Sequence, residues 1–124
     1  MADLHVELVS PERQVWSGTA RSVLARTVEG EIGVLPGHAP LLGELIPGLV
    51  QIRQTSGDDL LAAVHGGFLS VTDAGVSILA EQVELGSEID PARARAALER
   101  SATAGDDAAG RRATVRLQAA NQTA

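Results

Sequence analysis

The sequence contains no cysteine, lysine or tyrosine, and its only large aromatic side chains are Trp16 and Phe68. The lack of cysteine excludes a disulfide framework, a thiolate nucleophile and a cysteine-ligated zinc site. With aromatics at 2% of the chain, aliphatic side chains must supply nearly all of the core. No apolar run approaches the length of a membrane span. The start of the chain also lacks the basic and apolar segments of a signal peptide, so we expect membrane association only through a partner.

The charge balance is unevenly distributed along the chain. The net charge of -6 argues against general nucleic-acid binding, which needs a basic surface to replace counterions on the phosphate backbone. The first 86 residues carry a net charge of -7, whereas the remainder carries +1. The two parts therefore differ electrically. The arginines of the second part can be ordinary solvated side chains, or they can approach an acidic surface of a partner.

The segment from Leu4 to Leu85 is typical of an all-β domain, because short apolar runs and alternations are separated by turn residues. Frequent turns favour antiparallel strands in a β-sandwich or flattened barrel over a parallel α/β sheet. We predict a β-sandwich domain over 1–86 and a helical hairpin over 87–124. The predicted strands are Leu4–Val9, Gln14–Ser17, Ala20–Thr27, Glu31–Leu35, Leu42–Ile46, Gly48–Thr55, Asp59–His65, Phe68–Thr72, Val76–Glu81 and Gln82–Leu85.

The C-terminal part has the composition of two short helices. Asp90 is suited to cap the first helix and Pro91 to occupy its first position, and the predicted helix continues over Ala92–Ala104. Gly105 then ends this helix before a second one over Ala108–Ala120. The hairpin has few large apolar residues, and short helices are marginal alone in water. We therefore expect a weakly docked, mobile antiparallel hairpin.

No catalytic or metal site can be assembled from the sequence. The glycine-rich segment Gly30–Leu41 resembles a phosphate-binding loop only superficially, because a P-loop needs a lysine and all ten basic residues are arginine. The three histidines, His5, His38 and His65, are far apart and have no nearby partners of metal-site type. His65 is expected at a strand end and His38 in a loop or interface. We therefore predict a non-enzyme.

Residues 29–41, Glu-Gly-Glu-Ile-Gly-Val-Leu-Pro-Gly-His-Ala-Pro-Leu, resemble the signature of the F-type ATP synthase epsilon subunit family. The opening segment Leu4–Ser17 resembles its first two strands. This segment carries Val-Ser-Pro-Glu and the start of Val-Trp-Ser-Gly, which ends at Gly18. Gly48–Arg53 is similar to its central strands, and Gly66–Leu69 to the turn that follows them. The resemblance covers essentially the whole chain and is strongest before Leu85.

This resemblance implies a non-catalytic rotor subunit of the bacterial enzyme, at the cytoplasmic face of the plasma membrane and with no required cofactor. The family's sandwich binds the gamma subunit and rests on the ring of c subunits. Its hairpin can extend toward the alpha and beta subunits and inhibit ATP hydrolysis. By resemblance, we expect the exposed turn Glu29 to Ile32, including Glu31, to face the c ring, and Ser10 and His38 to face gamma.

The segment Ile89-Asp90-Pro91-Ala92-Arg93-Ala94 resembles an ATP-binding motif that some members of this family carry. The resemblance implies a regulatory ATP site formed by Ile89, Asp90, Arg93 and Ala94, completed by Arg112 and Arg116 of the second helix. An ordinary helix start already explains Asp90 and Pro91 without a ligand. A stand-alone ATP-sensing module is therefore the alternative function, and an enzyme on a β-sandwich is a third.

Overall fold

A computed structural model describes residues 3–120 as a β-sandwich followed by two helices. The strands are β1 (Leu4–Val9), β2 (Gln14–Thr27), β3 (Gly30–Val34), β4 (Leu41–Leu45), β5 (Gly48–Gln54), β6 (Leu60–Val64), β7 (Gly67–Thr72), β8 (Gly75–Ala80) and β9 (Val83–Leu85). After a short 3₁₀ turn at Gly86–Glu88 come α1 (Pro91–Ala104) and α2 (Asp107–Ala119). The predicted class, mainly β with a helical appendage, is confirmed.

The long strand β2 connects the two layers of the sandwich. The strand order is β1-β8-β7-β4-β2-β5-β6-β9, and β3 pairs with β2. The first part of β2 pairs with β1, while its later part pairs with β3 and β5. A register shift between Ala20 and Ser22 marks the change of partner, as irregularities do where a strand bends between layers.

Aliphatic side chains fill the space between the layers. The side chains of Val6 and Leu8 from β1, Ile52 from β5 and Ile78 from β8 are almost completely buried there. Alternation along the strands turns every second side chain inward. Trp16 packs only at the margin of this core, and Phe68 is 49% exposed. The expectation of an aliphatic core is confirmed.

The prediction of separate strands at Gln14–Ser17 and Ala20–Thr27 was wrong. The intervening residues continue β2, and Gly18 pairs with Val6 of β1. A side chain at position 18 would overlap the ring of Trp16, at 2.7 Å from its nearest carbon. Gly18 therefore makes room for a neighbouring ring instead of interrupting the strand. The other predicted strands differ from the observed ones by at most one residue at either end.

The sequence predicted antiparallel strands, but one strand pair of the sheet is parallel. β1 and β8 run parallel, with Val6 opposite Val76 and Leu8 opposite Ile78. Strands β2 to β7 separate β1 from β8 along the chain. Only strands joined by a short turn must be antiparallel, so this pair is free to be parallel. The remaining strand pairs within residues 3–120 are antiparallel.

The hairpin rests on the sandwich through α2. Val115 and Ala119 of α2 pack against Ala63 of β6, with Leu49 and Ile89 at the edge of the contact. α1 packs mainly on α2. A Cβ added at Gly110 would lie 3.0 Å from the Ser101 hydroxyl oxygen. Glycine at this position therefore permits a close crossing of the two helices. Neither of these helices is long and apolar enough to cross a membrane.

Candidate functional site

A groove of about 440 Å³ lies where the start of α1 faces α2 and β9. Its lining includes Ile89, Asp90, Arg93 and Ala94 from the motif segment, together with Arg116 from α2. Its volume is in the range of small-molecule sites. The fold therefore brings five of the six residues of the expected nucleotide site to one cavity.

The Asp90 carboxylate is engaged as a helix cap. Its Oδ1 accepts hydrogen bonds from the backbone N–H groups of Ala92, at 3.0 Å, and Arg93, at 3.3 Å. Pro91 occupies the first helical position, where a missing N–H costs nothing. Gly105 ends α1 in the left-handed conformation, with φ of 71°. The expected start and end signals of α1 are confirmed, so capping accounts for Asp90 without a ligand.

Arg116 is also engaged, through an ion pair to the sandwich. Its Nε donates to Oε1 of Glu84 on β9 at 2.6 Å. The same carboxylate oxygen lies 3.4 Å from Nε2 of His65, which follows β6. The His65 side chain is only 4% exposed, and neither of its ring nitrogens makes a hydrogen bond. We call His65, Glu84 and Arg116 the docking triad, because it joins the sandwich to α2.

The docking triad changes the proton affinity of its histidine. Burial, followed by the positive charge of Arg116, lowers the pKa of His65 below its ordinary value of 6.5. Arg112 lowers the pKa of His65 further, whereas Glu84 acts in the opposite direction. His65 is at a strand end as expected, but the sequence did not indicate its contact with Glu84.

One expected nucleotide ligand lies apart from the groove, and one unexpected arginine lines it. Arg112 is not among the lining residues, whereas Arg100 of α1 is. Arg93 and Arg100 are seven residues apart and therefore share one face of the helix. This helical spacing is the signal that could have identified Arg100 from the sequence.

The residues expected to face the c ring occupy a hairpin between β2 and β3. Glu29 is exposed in its turn, and Glu31 is exposed on β3, where it pairs with Arg26 at 3.7 Å. Contrary to the expectation of an exposed turn up to Ile32, this residue belongs to β3, while its expected contact with the c ring stays a prediction. Ile32 is partly buried against the core because alternation along β3 turns it inward.

The residues expected to face gamma lie in two loops. Ser10 follows β1, and its hydroxyl donates to the Arg13 carbonyl at 3.3 Å. His38 lies between β3 and β4, with Nδ1 at 2.7 Å from the Ala39 carbonyl oxygen. The prediction of a loop position for His38 is confirmed.

An apolar patch occupies the outer face of β4, β7 and β8. We call it the bare-face patch; it consists of Leu42, Phe68 and Leu79, which are 73%, 49% and 49% exposed. Phe68 pairs with Leu79 on β8, and Leu42 pairs with Ser70, which is two residues from Phe68 on β7. The three side chains therefore share one face of the sheet. Helix α2 packs instead on β5 and β6. Clustered exposed apolar side chains mark interaction surfaces.

A larger groove separates the hairpin from the rest of the sheet. It measures about 800 Å³, and its apolar lining includes Leu24, Leu49, Leu98 and Val115. The hairpin therefore leaves part of the sheet's outer face uncovered. This limited contact fits the small side chains of the interface, which bury little apolar area.

The sequence is similar to a family of known β-sandwich domains. Residues 3–86 match the family described as ATP synthase, Delta/Epsilon chain, beta-sandwich domain. The ATP synthase epsilon chain of Streptomyces avermitilis is 58% identical over 118 residues, with 95% of each chain covered. That of Corynebacterium diphtheriae is 50% identical over 125 residues, covering 100% of this chain and 98% of the relative.

Solved structures show the same fold. A chain in the structure of Euglena gracilis mitochondrial ATP synthase, OSCP/F1/c-ring, is similar with a TM-score of 0.74 at 27% identity, covering 95% of this chain and 77% of that one. A chain in the Tetrahymena thermophila mitochondrial ATP synthase central stalk and c-ring structure shares the fold alone. It has a TM-score of 0.57 at 24% identity and covers 74% of this chain and 69% of that one.

The sandwich with its C-terminal hairpin thus defines a chain of the delta/epsilon class. Within that class, the chain belongs to the family of bacterial ATP synthase epsilon chains. Epsilon chains are non-catalytic accessory subunits of ATP synthase. The expectation that this protein is not itself an enzyme is confirmed by the family.

Proposed function

We propose that this chain is a rotor subunit of the central stalk of a bacterial F-type ATP synthase. Its sandwich couples the gamma subunit to the ring of c subunits, and its hairpin regulates ATP hydrolysis through the alpha and beta subunits. The complex holds it at the cytoplasmic face of the plasma membrane. The similarity to a chain in an F1/c-ring assembly supports this role.

The bare-face patch is the observation that carries the proposal. One outer face of the sandwich carries the hairpin, whereas the other presents Leu42, Phe68 and Leu79 to solvent. Burying these side chains against a partner would be favourable at about 25 cal/mol per Å² of apolar surface. We assign this patch to gamma, along with Ser10 and His38. Glu29 and Glu31 are assigned to the c ring.

Co-purification tests the assignment to gamma. Leu42→Asp and Phe68→Asp should each reduce recovery of the chain with gamma and the catalytic hexamer, while the isolated variants keep the sandwich fold. Val28→Asp is the matched control, since Val28 is 57% exposed but lies in the β2–β3 turn. Undiminished recovery of both patch variants would contradict the assignment. A lone protein that retains ATP would instead support the stand-alone module.

Coupling measurements test the assignment to the c ring. Glu31→Arg reverses an exposed charge and breaks the pair with Arg26. We expect assembled enzyme with this variant to pump fewer protons per ATP hydrolysed. Asp58→Arg reverses a charge in a different exposed turn and should leave coupling intact. Normal coupling in both variants would remove Glu31 from the interface.

Nucleotide binding by the hairpin is the second candidate function, and the 440 Å³ groove favours it. Arg93 and Arg100 of α1 are the arginines that a phosphate would meet without breaking the Arg116–Glu84 pair. ATP would act as a regulatory ligand and not as a required cofactor. Titration calorimetry with ATP should show weaker binding by Arg93→Gln. Arg111→Gln, which lies outside this groove, should bind as the unchanged chain does.

A further inference from the structure

The docking triad places a buried imidazole beneath a helix from which two arginines, Arg112 and Arg116, act on it. Arg116 reaches across from α2 to Glu84, and His65 lies behind the same carboxylate oxygen. Charged groups face His65 from two packed elements, with Glu84 on β9 and Arg112 and Arg116 on α2. Groups further out are Glu81 beside Gly66 and, along the groove, Glu88, Asp90, Arg93 and Arg100.

With neutral His65, the triad is electrically balanced. The negative charge of Glu84 is matched by Arg116, and no proton is needed on the imidazole. A protonated His65 would add a second positive charge beside Arg116 and compete with it for Glu84. In a state without α2, the same protonated imidazole would pair with Glu84 alone. Protonation therefore favours the state in which Arg116 has left.

We propose that His65 is a proton-sensitive latch: its protonation releases α2, and with it the hairpin, from the sandwich. The apolar contact that the latch must overcome has a small buried cluster, made of Ala63, Val115 and Ala119 with Leu49 and Ile89 packed against it. The same side chains give little burial to oppose a repulsion between charges. The latch concerns the isolated chain, and only its effect on hydrolysis rests on the proposed function.

The sign of the pH dependence follows from linkage. The pKa of His65 is lowered in the docked state by burial and by Arg116, so the docked state binds fewer protons than the released state. Docking is therefore fully developed well above pH 6.5 and weakens as the pH falls below it. The docking equilibrium should fall several-fold between pH 6.5 and 5.5. Because a single proton is involved, the loss is limited to about tenfold per pH unit.

NMR of the full-length isolated chain tests the latch. The amide signals of Ala113, Val115 and Ala119 report docking, while the imidazole signals of His65 report protonation. Between pH 8 and 5 the two titrations should coincide. In His65→Gln the hairpin should stay docked over this range. The control His5→Gln/His38→Gln replaces the other two histidines of the chain and should keep the unchanged chain's response.

Three results separate the latch from its alternatives. Protonation of His65 with unchanged hairpin signals would overturn it, as would an equal response in His65→Gln, which would assign the effect to carboxylates. Arg112→Gln removes a repelling charge and leaves the Glu84–Arg116 pair in place, so it should reduce the loss of docking. If His65→Gln does not fold, the coincidence of the two titrations in the unchanged chain decides. Recovery with gamma is a separate measurement, so failure of either proposal is distinguishable.

Discussion

At the level of single residues, small side chains determine how closely α2 approaches the sandwich. Ala63 is fully buried under Val115 and Ala119 of the helix. Gly86 leaves space beneath the last turn of α2, where an added Cβ would overlap the carbonyl oxygen of Ala119. Larger side chains at these positions would hold the helix further from the sheet. These positions therefore set the height of the hairpin above the sheet.

Gly86→Ala should loosen the hairpin, because the new methyl group and the Ala119 carbonyl cannot occupy the same space. Overpacking of this kind costs about 1–3 kcal/mol. Hydrogen exchange should become faster in α2 and stay slow in the core strands. Gly33→Ala is the matched control: its Cβ would meet Leu24 only at 3.9 Å, so the change should be neutral or stabilising by about 0.4–1 kcal/mol. Equal exchange of α2 in both variants would contradict the expectation.

The sequence predicted residues with local roles better than residues with distant partners. Asp90 and Gly105 could be assigned to helix ends because capping depends on a few neighbouring residues. The contacts among His65, Glu84 and Arg116 span both domains of the chain, and no local spacing indicates them. The aliphatic character of the core could be predicted from composition, whereas the partial burial of Ile32 and the position of Arg100 in the groove depend on which face of the strand or helix they occupy.

At the level of elements, the two helices differ in how the sequence supports them. α1 has a capping aspartate, a proline at its first position and a left-handed glycine at its end. α2 begins with Asp106, whose side chain accepts from the Ala109 N–H at 3.1 Å, and it provides most of the hairpin's buried side chains. Local signals therefore define α1, while packing on the sheet defines α2.

Replacements of Asp90 separate its capping role from a nucleotide-binding role. Asp90→Ser keeps a good cap without the carboxylate, whereas Asp90→Ala removes the cap at a cost of about 1 kcal/mol. Helical circular dichroism should fall in Asp90→Ala and stay unchanged in Asp90→Ser. Weaker ATP binding by Asp90→Ser would then assign the carboxylate to the ligand. Equal helicity in both variants would contradict the capping role.

The strands show where element prediction stops. Alternation and turn residues located the strands to within one residue, apart from the continuous β2. The break predicted between Ser17 and Ala20 does not occur, because Gly18 continues the strand and makes room for the ring of Trp16. The parallel pairing of β1 with β8 also depends on the path of the whole chain. Both outcomes are tertiary effects that local patterns do not encode.

At the level of the whole molecule, the core of the sandwich is independent of the hairpin. Its buried cluster runs from Leu4 to Ala80 and draws on no helical residue, while the helix contact forms a second, smaller cluster around Ala63. The second cluster joins residues from both sides of residue 86, and the domain division expected there stays a prediction. The sandwich core therefore does not depend on the hairpin, whereas the hairpin depends on its contact with the sandwich.

A chain shortened to residues 1–87 should fold as the sandwich alone. We expect amide spectra of the strands to keep their positions, except near Ala63 and Leu49, where the helix contact is lost, and near His65 and Glu84, where Arg116 is lost. Thermal unfolding should remain a single cooperative transition. Loss of dispersed amide signals throughout the sheet would show instead that the hairpin is required for the fold.

The deletion and Gly86→Ala together test whether the released hairpin inhibits hydrolysis. If release allows inhibitory contacts with the catalytic subunits, the shortened chain should raise ATP hydrolysis by the assembled enzyme because it has nothing to release. Gly86→Ala should lower hydrolysis, because it favours release while keeping both helices. Gly33→Ala should match the unchanged chain. If the deletion and Gly86→Ala change the rate of hydrolysis in the same direction, inhibition by the released state is contradicted. Both variants reduce the docked state, so the docked hairpin would then be the form that affects hydrolysis.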